Sequence, residues 1–97
     1  MKFYSYNREE QENILFHQVI GEINKLTNED GNFQGIDRGD LSLQWIRTKE
    51  DYFYVEKVIN SEDIYHLETN FEILKKIIES FFLTYDLKDF DWIKNDN

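Results

Sequence analysis

Residues 41–59 read LSLQWIRTKEDYFYVEKVI, and the way they pair decides the fold. Two runs rich in aromatic and β-branched residues, 41–47 and 52–59, flank the short polar segment Thr48-Lys-Glu-Asp, which is the pattern of an antiparallel hairpin. Setting Trp45 opposite Phe53 and Leu43 opposite Val55 places Leu41, Leu43, Trp45, Phe53 and Val55 on one face. The other face then carries Ser42, Gln44, Ile46, Tyr52, Tyr54 and Glu56. A one-residue slip would set Glu56 among Leu43, Trp45 and Tyr54, so a charge on the core face speaks against that register.

Upstream of the hairpin, residues 28–40 hold Gly31, Gly35 and Gly39 among polar side chains and read as a loop. Before them, Asn7 with Glu10 three positions on has the form of a capping box. Apolar residues recur at Leu15, Val19, Ile23 and Leu26, flanked by Ile14, Phe16 and Ile20. This spacing predicts a helix of about 19 residues starting at Arg8. Glu9, Glu10 and Glu12 fall in its first turns, where the helix dipole favours acids. Phe3, Tyr4 and Tyr6 suit a short strand over 2–6.

Downstream, residues 60–69 admit a short helix after Ser61 or a third strand through Ile64-Tyr-His-Leu. Thr69 with Glu72 forms a second capping box. Phe71, Leu74, Ile78, Phe81 and Tyr85 then make a helical stripe, widened by Ile73, Ile77 and Phe82. So broad a stripe calls for cover from two sides, by the sheet and by the first helix. Leu87 to Ile93 read as a further turn of helix. The expected fold is α+β in a single domain spanning 1–97. It has an N-terminal helix, a two- or three-stranded antiparallel sheet built on the central hairpin, and a C-terminal helix packed on the sheet.

Composition narrows the function classes. The 97 residues carry 20 acidic and 11 basic side chains, a net charge of −9, with 40% hydrophobic and 16% aromatic residues. So much apolar surface argues against disorder and for a core built of rings. A uniformly negative surface opposes binding to nucleic acid, where affinity comes from neutralised phosphates, and opposes binding to anionic membranes. It suits a cationic protein partner approached with electrostatic steering. Cysteine is absent, which excludes disulfides and thiolate chemistry. No run reaches the roughly 18–20 apolar residues of a membrane span. The first residues, Met-Lys-Phe-Tyr-Ser-Tyr-Asn, lack the apolar core of a signal peptide, so a cytoplasmic location is expected.

Chemical motifs fail on their spacing. Asp86, Asp89 and Asp91 have Phe, Trp and Ile where a calcium loop needs oxygen ligands and a glycine. The three glycines follow a helix and open a strand among acids, the reverse of a phosphate loop, and read as turn or bulge positions. Arg38-Gly39-Asp40 is a three-residue coincidence with an adhesion motif. His17 projects opposite Leu15 and Val19, toward solvent. Neither His17 nor His66 has companions in a zinc or catalytic pattern. No catalytic residue, metal or cofactor is assigned, and the chain is not expected to be an enzyme.

The positive lead is the solvent face of the hairpin. Tyr52 and Tyr54 stand there with Glu50, Asp51 and Glu56 at the edge, and Glu62, Asp63 and Tyr65 repeat that chemistry in the next segment. Asp89, Asp91 and Trp92 form a second acidic-aromatic cluster. Exposed rings with a carboxylate rim suit docking on a basic protein, such as a nuclease or another enzyme that acts on nucleic acid. The overall character is that of immunity proteins and phage-encoded inhibitors, by class and not by motif. The alternatives are a homo-oligomeric interaction module, with the aromatic face as a dimer interface, and a small enzyme or ligand-binding domain. Whether the chain is a monomer or a homodimer is left open.

Overall fold

The computed structural model describes residues 1–83, 87 and 89–95. The strands are β1 (Lys2–Ser5), β2 (Arg8–Glu12), β3 (Gln34–Asp37), β4 (Leu41–Lys49), β5 (Tyr52–Ile59), β6 (Asp63–Thr69) and β7 (Ile93–Lys94), and the helices are α1 (Phe16–Ile23) and α2 (Phe71–Leu83). The strands form one seven-stranded sheet in the order β2-β1-β3-β4-β5-β6-β7. Each neighbouring pair is antiparallel.

This overturns the expectation of a two- or three-stranded sheet behind an N-terminal helix. The chain opens with a β1–β2 hairpin, and Asn7 lies in its turn instead of capping a helix. The helical apolar stripe begins only at Ile14; Arg8-Glu-Glu-Gln-Glu12 offers it nothing to bury. Asn13 then adopts φ 57°, a left-handed conformation that interrupts any helix running through it. The helix starts after Leu15, whose N–H donates to the Gln18 side-chain oxygen at 2.9 Å. The expected 28–40 loop contains β3, which slots between β1 and β4 with Ile36 paired to Phe3 and Leu43. Gly31 and Gly39 do take positive φ, as turn positions demand, whereas Gly35 lies within the strand. Residues 63–69 are the third strand of the two alternatives. Ile93–Lys94 pair with β6 instead of extending a helix. Tyr85, placed on the α2 stripe, lies outside the described residues.

The hairpin itself slides by two residues from the expected register. Trp45 pairs with Val55, Leu43 with Lys57 and Arg47 with Phe53, with an irregularity between Arg47 and Lys49. A slide of two preserves the faces, since side chains alternate with a period of two. Leu41, Leu43, Trp45, Phe53 and Val55 are accordingly all buried.

They join Phe3, Ile36 and Leu67 of the sheet with Val19, Ile23, Leu74, Ile77, Ile78 and Phe81 of the helices in one apolar cluster. Both helices therefore lie on the same side of the sheet. A buried relay ties α1 down: the Trp45 indole N–H donates to the Gln34 side-chain oxygen at 3.0 Å, and the Gln34 amide donates to the Glu22 carbonyl at 2.8 Å. Asn70, not Thr69, caps α2, its side-chain oxygen accepting from the Ile73 N–H at 3.0 Å. Asp51 reaches across from the hairpin turn to accept from the Phe71 N–H at 3.0 Å. Among the described residues, no helix is long and apolar enough to cross a membrane.

Neither helix has a basic residue in its last turn, so the sheet supplies the cations. Arg47 donates to the carbonyls of Leu26 at 2.7 Å and Ile23 at 3.0 Å, with its guanidinium 4.7 Å from the Phe53 ring centre. Arg38 donates to the Phe81 carbonyl at 3.1 Å and stacks 4.5 Å over that residue's ring. Charge-assisted bonds of this kind are worth more than neutral ones. Arg47→Ala is expected to destabilise the fold by about 2–3 kcal/mol in urea denaturation. Arg47→Lys should recover only part of that, because a point charge cannot serve both carbonyls and the ring.

Candidate functional site

With both helices on one side, the opposite face of the sheet carries no helix among the described residues. Its central row of paired positions is Tyr4, Gly35, Gln44, Glu56, His66 and Ile93. One flanking row runs Lys2, Asp37, Ser42, Val58, Ile64. The other holds Ile46, Tyr54 and Glu68. Ile46 and Tyr52 are each 38% exposed.

Local contacts fix these side chains. Tyr4 covers Gly35 so closely that a Cβ built there would lie 2.3 Å from the ring, an aromatic lying over a strand glycine. The Tyr4 hydroxyl donates to the Gln44 side-chain oxygen at 3.5 Å. Tyr54 stacks on His66, with ring centres 5.4 Å apart and planes 17° from parallel. The Tyr54 hydroxyl reaches Glu56 at 3.4 Å, and His66 Nδ1 contacts the Asn95 side-chain oxygen. Gln44, Ile46, Tyr54 and Glu56 border a depression of about 120 Å³.

Charge is sorted across the sheet. Arg8 turns toward α1, pairing with Glu22 at 3.0 Å and lying 5.6 Å over Phe3. Arg38 and Arg47 serve the helix ends, and Lys57, only 8% exposed, sits 4.6 Å from the Tyr65 ring centre and 4.8 Å from Trp92. All of these are on the helix side. The open side holds Glu10, Glu12, Asp37, Glu56 and Glu68, against Lys2, which pairs with Glu10 at 3.3 Å, and Lys49, opposite Tyr52 at the hairpin end.

Burial and neighbouring carboxylates shift three groups on this face. Burial, with the Asp37 and Glu56 carboxylates behind it, pushes the Tyr4 phenol up to about 12. Burial and Glu56 also push Tyr54 up from its ordinary value. Lys2 is raised by its bond to Glu10 and by the charges of Glu10, Glu12 and Asp37.

The structure brings together Tyr52, Tyr54 and Glu56 of the residues singled out from sequence. Glu50 and Asp51 are at the hairpin tip, where Asp51 is committed to the α2 N-terminus and the Glu50 carbonyl accepts from Arg47. Glu62 is exposed in the β5–β6 turn. Asp63 pairs with Lys94 at 3.6 Å. Tyr65 and Trp92 are on the helix side around Lys57, and the Trp92 indole N–H donates to the Leu87 carbonyl at 2.6 Å. Those two rings do not join the tyrosine face. Asp89 and Asp91 line a separate groove beside β6.

Sequence reasoning missed Tyr4, Asp37, His66 and Glu68 as members of this face. Their signal was alternation in 2–5, 34–37 and 63–69, too short to read until the neighbouring strands were known. Among the described residues no group of acids or histidines is arranged to hold a metal; Asp86 lies outside them. No family model matches the chain, and neither a curated protein nor a solved structure shows significant similarity to it.

The Tyr4 shift has a stability consequence. Folding raises this phenol's pKa, so its contribution is complete below pH 10 and is lost as pH climbs toward 12. A tyrosinate absorbance titration should show one phenol ionising near 12, missing in Tyr4→Phe. Gly35→Ala should return that titration toward 10 by lifting the ring off the sheet.

Proposed function

We propose that this chain is a small cytoplasmic protein-binding inhibitor that occludes a basic partner with the open face of its sheet. The observation that supports the reading is the sorting of charge. Every arginine is turned to the helix side, and the helix-free side holds Glu10, Glu12, Asp37, Glu56 and Glu68 together with Tyr4, Ile46, Tyr52 and Tyr54. Such a face offers both halves of a docking surface: rings to bury and acids to steer. The depression beside Ile46 and Tyr54 is of a size for the head of one lysine or arginine, with the Tyr54 ring beneath the cation and Glu56 to pair with it.

The partner class is an enzyme whose working surface is basic, as in nucleases and other proteins that grip phosphates. A folded acidic face occupying that surface competes with the polyanion directly and needs no chemistry of its own. Inhibition is then stoichiometric, and the association rate carries the electrostatics.

The test begins with salt-eluted capture from the producing cell and continues with kinetics on the captured protein. Association should slow steeply with ionic strength, and Glu56→Lys with Glu68→Lys should slow it further at low salt. Tyr54→Ala should cost ~2 kcal/mol of affinity or more. A salt-independent on-rate, or full affinity in Tyr54→Ala, overturns the reading. Sedimentation separates it from the homo-oligomeric alternative, in which the face is already covered by a second copy.

A further inference from the structure

The two edges of the sheet differ in kind. The β2 edge is Arg8-Glu-Glu-Gln-Glu12, mostly exposed charge, a common guard against strand addition. The β6 edge is guarded for only part of its length. β7 pairs with it at Tyr65 and His66, and the Asn95 N–H adds one bond to the Ile64 carbonyl at 2.8 Å. The pairing stops at His66, since Asp91 and Trp92 lie in no strand, while β6 continues to Thr69. Among the described residues, Leu67, Glu68 and Thr69 have β5 on one side and no strand on the other. Because antiparallel strands alternate the direction of their backbone groups, the Glu68 N–H and C=O point the same way as those of Ile64, away from β5.

A groove of about 620 Å³ opens at this spot, lined by Leu67, Ile73, Phe90 and Ile93 with Glu68, Asp89 and Asp91 among them, and the described residues of its lining include neither lysine nor arginine. We propose that it receives an extended, lysine- or arginine-bearing segment of a partner protein, added to β6 as a further strand alongside Leu67–Thr69. Backbone pairing to Glu68 supplies the register, Leu67, Ile73 and Phe90 take alternate apolar side chains, and the three carboxylates take the cations between them. The chain itself shows the mode at the adjoining position: Ile93–Lys94 pair with β6, and Lys94 reaches Asp63 at 3.6 Å. A second copy of this chain is the wrong occupant, since its −9 charge would bring acids onto acids. The inference shares with the proposed function the sign of the partner's charge and one residue, Glu68, which stands where the open face meets the groove.

The probe is a blocked heptapeptide alternating lysine and valine, titrated into the full-length, nitrogen-15-labelled chain at low salt. The Glu68 amide should shift and become protected from exchange. Glutamate in place of lysine, or N-methylation of alternate backbone nitrogens, should abolish binding. Asp89→Lys with Asp91→Lys, both exposed, should weaken the peptide roughly tenfold or more. Glu9→Lys, exposed on β2 at the opposite edge of the sheet, should change it by less than about twofold. The proposal is overturned if the N-methylated peptide binds as well as the parent, since that is charge adsorption without a strand. It is equally overturned if the shifts centre on Tyr54 and Ile46, or if no saturable binding occurs. None of these outcomes touches the effect of Tyr54→Ala on a folded basic partner, so the two readings fail separately.

Discussion

Two arginines reaching from the sheet to the ends of the helices organise this molecule. The last carbonyls of an α-helix have no partner inside the helix, and both helices here end without a basic residue of their own. Arg47 and Arg38 meet that need from β4 and from the turn before it. Each also lays its guanidinium over a phenyl ring of the core, Phe53 and Phe81 respectively. One side chain thus satisfies carbonyls at a helix end and covers a ring of the apolar cluster. The Trp45–Gln34–Glu22 relay ties α1 down from the middle of the sheet, and among the described residues no buried side-chain nitrogen or oxygen lacks a partner.

The character of the opposite face follows from this. Seven strands present two faces, and helices of 8 and 13 residues cover one of them. Among the described residues no helix covers the other face, which takes alternate residues of every strand. Since the arginines are needed at the helices, the carboxylates at the alternating positions stay without arginine partners. Tyrosine is a ring that tolerates such a place, burying its edge on the sheet while its hydroxyl stays hydrogen-bonded. Tyr4 and Tyr54 behave this way, half-buried on the sheet with their hydroxyls on Gln44 and Glu56.

What the sequence made legible was periodicity over long runs. The faces of 41–59 were readable because eight or nine consecutive residues alternate, and the α2 stripe because thirteen residues keep helical spacing. The misreadings share a cause. Residues 8–12 have no apolar residue to declare a period, so a helical stripe beginning at Ile14 was extended backwards over them, and Asn7 suits a hairpin turn as well as it suits an N-cap. In β3, glycine occupies the outward position where an alternating pattern would show itself, because the Tyr4 ring needs that space. Neither strand is stable or recognisable alone; each exists because a neighbour pairs with it. The same dependence split the site. Tyr54 lies on the face that the parity of its own strand gave it, whereas Tyr65 went to the other side by the parity of a strand that was one of two readings, and Trp92 stands just before β7 where a turn of helix was expected.

Parity also shows why net charge understates this surface. Glu56 and Lys57 are neighbours in sequence and cancel in any composition, yet β5 sends them to opposite sides of the sheet. Glu56 stands on the open face between Gln44 and His66, while Lys57 is buried against Tyr65 and Trp92. Burying an ammonium is costly unless something replaces its water, and here the faces of two rings contribute. That arrangement keeps a cation out of the middle of the acidic face at some expense in desolvation. Arg8 repeats the pattern at the sheet's far end, turned toward Glu22 while Glu10 and Glu12 of the same strand remain outside. A chain needing only solubility has no use for such sorting, because charges of either sign on either face would serve. The sorting is what the proposed docking on a positive surface calls for; on the same face burial, with nearby carboxylates adding to it, raises the pKa of Tyr4 and Tyr54, and the bond to Glu10 raises that of Lys2.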